Sequence, residues 1–267
     1  MQDKVTVKDF QRMKEDKEKI TMLTSYTYPI AKIVDDAGID SILVGDSLGM
    51  TILGHNNTLK VTLENSIMLT QAVSRAVNRA LLIGDLPFGT YGINSFETVK
   101  NAYRLVKEGN AEAVKLEGGR ERIKEIEKIL NIGIPVLGHI GLTPTYVNIF
   151  GGFKVQGREE KQAQMFLEDS QLLEEAGVFA IVLESIPWKL AKKITENLTI
   201  PTIGIGAGEY CDGQVLVIDD ILGLNFQVKP RFIKQYANIK DIISEAVKNY
   251  YKEVKNGSFP SEEQRYD

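Results

Sequence analysis

The 267-residue chain is poor in cysteine, histidine and tryptophan: Cys211 is the only thiol, there are two histidines, and there is one tryptophan. A single thiol cannot close an intrachain disulfide. No Cys-x-x-Cys or His-x-x-x-His pair occurs, which speaks against a structural zinc site. No Gly-x-Ser-x-Gly elbow is present, so serine-hydrolase chemistry has no support. Basic residues are not in excess: 32 Lys and Arg face 36 Asp and Glu, for a net charge of −4. A nucleic-acid surface needs a basic stripe that displaces counterions, so no nucleic-acid partner is expected. No apolar run approaches the roughly 20 residues needed to cross a bilayer. The N-terminus, residues 1–10, lacks the apolar centre of a signal peptide. A soluble, cytoplasmic protein without membrane contact is the expectation. Linkers are missing too, because Pro, Gly and Ser are scattered, so one domain over residues 1–267 is expected.

What is present is repetition of strand and helix signals. Eight short apolar runs read as strands: Ile20–Thr24, Ser41–Val44, Leu81–Gly84, Ala113–Leu116, Pro135–Gly138, Ala180–Leu183, Thr202–Ile205 and Val215–Ile218. They lack polar alternation, as strands covered on both faces of a parallel sheet do. Helical spacing separates most of them; Phe96, Val99, Tyr103 and Val106 share one face, as do Ile123, Ile126 and Leu130. An opening helix over Val7–Glu15 could plug a barrel floor, and a last long helix runs from about Ile239 to Val254. Gly109, Gly133 and Gly177 follow helical runs, where a left-handed residue is needed. Residues 206–214 are too short for a full helix. Eight strand–helix units with no linker favour an α/β (β/α)₈ TIM barrel with an N-terminal helix, a fold of roughly 250 residues.

Polar residues sit at the ends of successive strand runs: Tyr26, Asp46 with Ser47, Asp85, Lys115 with Glu117, His139, and Glu184. In a barrel all of them reach the C-terminal mouth. Three carboxylates from neighbouring strands repel one another unless a cation lies between them, and hard oxygen ligands suit Mg²⁺. Each carboxylate alone reads equally as a helix N-cap. Lys115, inside an apolar run, is costly unless paired. It can form an ion pair, bind a substrate carboxylate, or do both. Glu184 reads as a proton-transfer group or as the cap of a helix near Pro187. His139 reads as a hydrogen-bonding wall residue of the substrate site, and His55 as a loop residue. Gly204-Ile205-Gly206-Ala207-Gly208 could cradle a phosphate, form a tight turn, or let a flat ring approach.

Taken together, Val44–Met50, Asp85-Leu86-Pro87-Phe88, Val114–Gly119, Gly138–Pro144, Gly151–Gly157, Gly204–Gly208, Cys211–Gln214 and Phe259–Glu263 resemble the ketopantoate hydroxymethyltransferase family over nearly the whole chain. One departure is Thr27, where the family pattern after the strand-one tyrosine usually has Asp. The resemblance implies transfer of a hydroxymethyl group from 5,10-methylenetetrahydrofolate to 3-methyl-2-oxobutanoate, on the way to pantothenate and coenzyme A. It implies one Mg²⁺ per subunit on Asp46, Asp85 and Glu117, and oxo-acid contacts from Asp46, Ser47, Asp85 and Lys115. It also implies Glu184 as proton acceptor and a homodecamer built as a dimer of pentamers. Two readings from other classes stay open at this point: a metal-dependent C–C lyase or phosphoenolpyruvate mutase-like enzyme, and a non-catalytic barrel that binds a small acid.

Overall fold

The computed structural model describes residues 3–225 and 230–266. The described residues fall into two compact units, residues 1–217 and 218–267. The first contains eight strands: β1 Ile20–Thr24, β2 Ser41–Val44, β3 Leu81–Asp85, β4 Ala113–Lys115, β5 Val136–Gly141, β6 Ala180–Glu184, β7 Thr202–Ile205 and β8 Gly213–Leu216. They pair in chain order, all parallel, and β8 closes on β1. The helices of this unit are α1 Val7–Glu15, α2 Tyr28–Asp36, α3 Leu48–Thr51, α4 Leu63–Ser74, α5 Ser95–Lys107, α6 Ile123–Asn131, α7 Val147–Phe150, α8 Glu160–Ala176 and α9 Trp188–Asn197. The fold is the (β/α)₈ barrel that the strand spacing predicts.

Strand parity divides the core in two. Ile20, Met22, Leu43, Leu81, Ile83, Ala113, Leu137, Ala180, Val182, Ile203 and Val215, from all eight strands, form one buried cluster with Phe10 and Met13 of α1. This is the barrel interior, and α1 plugs it from below, with Phe10 set edge-on to Phe179 at 5.5 Å. Val114, Leu116, Val136, Ile140, Ile181 and Leu183 belong to a second cluster with residues of the surrounding helices. Burial on both faces explains why the strands read as unbroken apolar runs.

Three expectations need correction. β5 runs on to Gly141, three residues past its predicted end at Gly138, because His139, Ile140 and Gly141 pair with β6 through the backbone. β8 lies two residues before the predicted Val215–Ile218, because Gly213 pairs with Ile20 and Gln214 with Thr21 through backbone groups that leave no apolar signal. Gly109 is not the left-handed residue after α5; Asn110 is, at φ 61°. Gly133 and Gly177 are left-handed as expected. Between β7 and β8 the chain forms no helix.

The second unit carries α10 Ile218–Leu222 and α11 Ile239–Asn256. No residue of α11 is buried, and Ile242, Val247, Tyr250 and Tyr251 are about 60% exposed or more (63%, 60%, 59% and 62%). Among the described residues no helix is long and apolar enough to cross a membrane.

Candidate active site

The interior parity of the strands carries directly into the mouth. Leu81 and Ile83 face the interior, so Asp85, two residues on, does too; Ala113 is followed in the same way by Lys115 and Glu117. Leu137 leads to His139, and Ala180 and Val182 lead to Glu184. The period of two therefore turns an apolar interior into a polar ring at the strand ends. Asp85 and Lys115 are register partners across β3 and β4. Asp46 enters from the turn after β2, with its backbone N–H donating to Asp85 Oδ2 at 3.0 Å.

These side chains form one connected array. Lys115 Nζ lies 2.9 Å from Asp85 Oδ1 and 3.4 Å from Glu117 Oε1. His139 Nδ1 is 3.5 Å from Glu117 Oε1 and 3.3 Å from Lys115 Nζ, and its Nε2 is 3.2 Å from Glu184 Oε2. Asp46, Asp85, Lys115, Glu117 and His139 are buried, whereas the Glu184 side chain remains 17% exposed. Ser47 shares a 2.6 Å hydrogen bond with Tyr26. Every predicted site residue reaches this one end of the barrel, and none of Asp46, Asp85, Glu117 and Glu184 caps a helix. The N-caps that follow are Ser47, Asn94 and Gly119, and α9 starts after Pro187 rather than on Glu184.

The electrostatics follow from burial and charge. Burial raises the Asp46 carboxyl to about 8, helped by repulsion from Asp85 and Glu117. Burial also raises Asp85, with Lys115 opposing it. For Glu117 burial again disfavours the charge, but Lys115, His139 and Thr145 outweigh it and hold the carboxyl at about 2. Burial disfavours the Lys115 ammonium, yet Asp85, Glu117 and Asp46 lift it above the usual lysine range. Burial and Lys115 work against a charged His139; Glu117 and Glu184 prevail and raise it to about 9.

The buried Asp46 Oδ2 receives no hydrogen bond among the described residues, and Asp85 Oδ1 faces only the Lys115 ammonium, at 2.9 Å. Such hard, desolvated donors fit a small divalent cation. Glu117 differs, since its Oε2 accepts from the Thr145 backbone and hydroxyl and its Oε1 faces Lys115 and His139. For that reason the three carboxylates converge without forming a cage: among the described residues no three His, Cys, Asp or Glu side chains gather closely enough to enclose a metal ion.

Thr145 and Tyr91 were not legible as site residues. Thr145 holds Glu117, and Tyr91 is buried with its hydroxyl 3.5 Å from that of Thr145. A Thr in a Pro-containing turn carries no chemical signature, so sequence spacing could not single it out. Gly141 is legible only in hindsight: at φ 103°, with a Cβ that would fall 2.3 Å from the Glu184 carbonyl oxygen, it lets β5 lie against the Glu184 backbone. Of the glycines at 204–208, Gly204 lies in β7, while Gly206 and Gly208 are left-handed in the turn after it, where a Cβ on Gly208 would meet Trp188 Cβ of α9 at 2.5 Å. His55 lies in a loop, as expected.

Phosphonopyruvate hydrolase, solved with oxalate and Mg²⁺, superposes with a TM-score of 0.63 at 12% identity, over 97% of this chain and 93% of its own. A 2,3-dimethylmalate lyase of the PEP mutase/isocitrate lyase superfamily gives 0.61 at 13%, over 98% and 89%. Likeness at that identity speaks to the barrel alone. The 3-methyl-2-oxobutanoate hydroxymethyltransferase of Clostridium novyi is 54% identical over 260 residues, 97% of this chain and 94% of its own. That of Thermoanaerobacter pseudethanolicus is 52% identical over 266 residues, 100% and 97% of the two chains. The family model described as ketopantoate hydroxymethyltransferase matches residues 4–262, and the chain belongs to that family.

Proposed function

We propose that this enzyme transfers a hydroxymethyl group from 5,10-methylenetetrahydrofolate to 3-methyl-2-oxobutanoate, giving 2-dehydropantoate for pantothenate synthesis in the cytoplasm. The observation that carries this reading is the meeting, at one barrel mouth, of a buried Asp46 oxygen without a donor, an Asp85 carboxylate paired to a buried ammonium, and a partly exposed glutamate. Asp46 and Asp85 would hold Mg²⁺ directly, leaving further positions for water and substrate, as this ion prefers. Glu117, with its oxygens engaged elsewhere, would reach the ion through water. When bound, the cation supplies Lewis acidity towards the carboxylate and 2-oxo oxygens of the substrate.

The chain's own residues do the rest. The Lys115 ammonium offsets the negative charge of the oxo acid, with Ser47 and His139 lining the same site. Glu184 takes the proton from C3, and its partial exposure leaves it reachable by substrate and water. The nucleophilic C3 then forms a C–C bond to the folate methylene as one of its two C–N bonds breaks, the electron pair leaving on nitrogen, which takes up a proton. Water breaks the remaining C–N bond, which leaves the hydroxymethyl group on the acid and releases tetrahydrofolate. Folate carries the one-carbon chemistry, and the protein supplies position and charge.

The assembly belongs to the same proposal. A homodecamer of two pentamers would cover the apolar stripe of α11, which is exposed along its length. The test of function is product formation from 3-methyl-2-oxobutanoate and 5,10-methylenetetrahydrofolate, with and without added Mg²⁺ after chelation. Turnover that needs both folate and metal is expected. Folate-independent cleavage of a 2-oxo acid would favour the lyase chemistry of the structural neighbours instead.

A further inference from the structure

Glu117 is held from behind by a residue of the loop after β5. The Thr145 hydroxyl and backbone N–H both donate to Glu117 Oε2, at 2.6 and 3.1 Å. The terminal torsion of a glutamate is broad, so a carboxylate held at one oxygen by a single donor can still swing. Two donors on that oxygen fix its plane. The other oxygen, Oε1, then faces Lys115 Nζ at 3.4 Å and His139 Nδ1 at 3.5 Å.

Thr145 is itself braced. Its side chain is buried, and the Tyr91 hydroxyl lies 3.5 Å from its own. The Arg122 guanidinium sits over the Tyr91 ring at 5.5 Å, donates to the Tyr146 hydroxyl at 2.7 Å and pairs with Glu125 at 3.2 Å. The connections after β3, β4 and β5 are thus joined behind one carboxylate. A network that served only stability would not need both donors on the single oxygen that turns the other towards the reacting groups.

We propose that Thr145 is a positioning residue for the reaction: it holds Glu117 in the orientation that links Lys115, at the substrate carboxylate, to His139 and Glu184, at the proton-transfer end. This rests on the roles proposed above for Lys115 and Glu184. Thr145 does not touch substrate and acts through Glu117.

The test compares Thr145→Val and Thr145→Ala, which delete the hydroxyl, with Thr145→Ser, which keeps it; the backbone donor survives in all three. kcat, KM for each substrate, and C3 deuterium exchange of the oxo acid are measured on the Mg²⁺-loaded enzyme, with Glu117→Gln alongside. Both hydroxyl deletions should lower kcat and exchange by about 10- to 100-fold, the range of losses for residues that orient a site's ligands. KM for the folate should stay within about twofold, and Thr145→Ser should recover most of the rate, because orienting a ligand needs the hydroxyl rather than the methyl. Parental kcat in the alanine variant, or a serine variant as impaired as the valine one, overturns the proposal. The alanine variant covers the case in which valine misfolds. If Glu117→Gln is inactive while Thr145→Ala is not, the positioning role alone falls. If Glu117→Gln is itself fully active, the reading of the site falls with it.

Discussion

Glu117 and Glu184 are joined through a single imidazole, with His139 Nδ1 3.5 Å from one carboxylate and Nε2 3.2 Å from the other. The link arises because Gly118 bridges His139 across β4 and β5, while Glu184 pairs with Gly141 at the end of β5. Interior parity then points all three side chains into the same mouth. The relation gives a division of labour: Glu117 keeps His139 charged, and His139 holds Glu184 in place.

His139→Gln therefore should lower kcat by about tenfold or more, within the range typical for residues that orient a general base, with a smaller change in KM for the oxo acid. Steady-state kinetics decide this; a kcat equal to that of the parent would leave His139 as a wall residue with no part in the proton transfer.

Glu184→Gln should still bind 3-methyl-2-oxobutanoate but lose exchange of its C3 proton for deuterium. The amide fills the same space and cannot accept the proton. Proton NMR of the oxo acid in D₂O, without folate, separates this step from the rest of turnover. Exchange at the normal rate would take the base role from Glu184.

Lys115→Met should be costly to the fold as well as to binding. It leaves Asp85 and Glu117 buried and facing each other without their shared cation. Removing one partner of a buried ion pair typically costs about 3–5 kcal/mol. Urea denaturation in the presence of EDTA checks the stability, and calorimetric titration checks the loss of oxo-acid affinity. Unchanged stability would mean that both carboxylates shed their charge without penalty.

The Asp46 carboxyl, raised to about 8 chiefly by burial, sets the sign of a pH effect. Below that value the folded chain keeps a proton that the unfolded chain has released, so stability falls as pH rises from the ordinary aspartate range to about 8. The slope from one such proton is about 1.4 kcal/mol per pH unit. Asp46→Asn should flatten this fall in EDTA-treated protein, and the stabilisation by Mg²⁺ should grow from pH 6 to pH 8 in the parent only. Thermal unfolding across this range, with and without the ion, reads both effects; equal slopes in parent and variant would contradict them.

Val247→Glu places a charge in the exposed apolar stripe of α11. If the stripe is covered in the assembly, the burial of an unpaired carboxylate should break it, and light scattering after gel filtration should find smaller species. A parental mass would remove this face of α11 from the interface.

Most of the barrel was legible in advance because its strands are buried on both faces and are bounded by turn residues. β1, β2 and β7 match their predicted bounds to the residue. β8 was misplaced because Gly213 and Gln214 join the sheet by backbone hydrogen bonding, which needs no apolar side chain. The polar residues at strand ends were legible for a related reason, since a charge at the edge of an apolar run stands out. Thr145 was missed because a hydroxyl in a loop looks the same whether it faces water or a buried glutamate.

By itself, the amino-acid order determined that alternate residues of eight short strands share one face. From that, it determined that Asp85, Lys115, Glu117, His139 and Glu184 arrive at one end of a barrel. The tertiary structure alone decided which of these touch. Lys115 lies against Asp85 rather than in solvent, and both Glu117 oxygens are engaged while Asp46 keeps one oxygen without a donor. Parity is a local property of the backbone and is written in the spacing. Pairing among buried charges depends on distances between strands far apart in the chain, and on the neighbours that replace the water each group gives up.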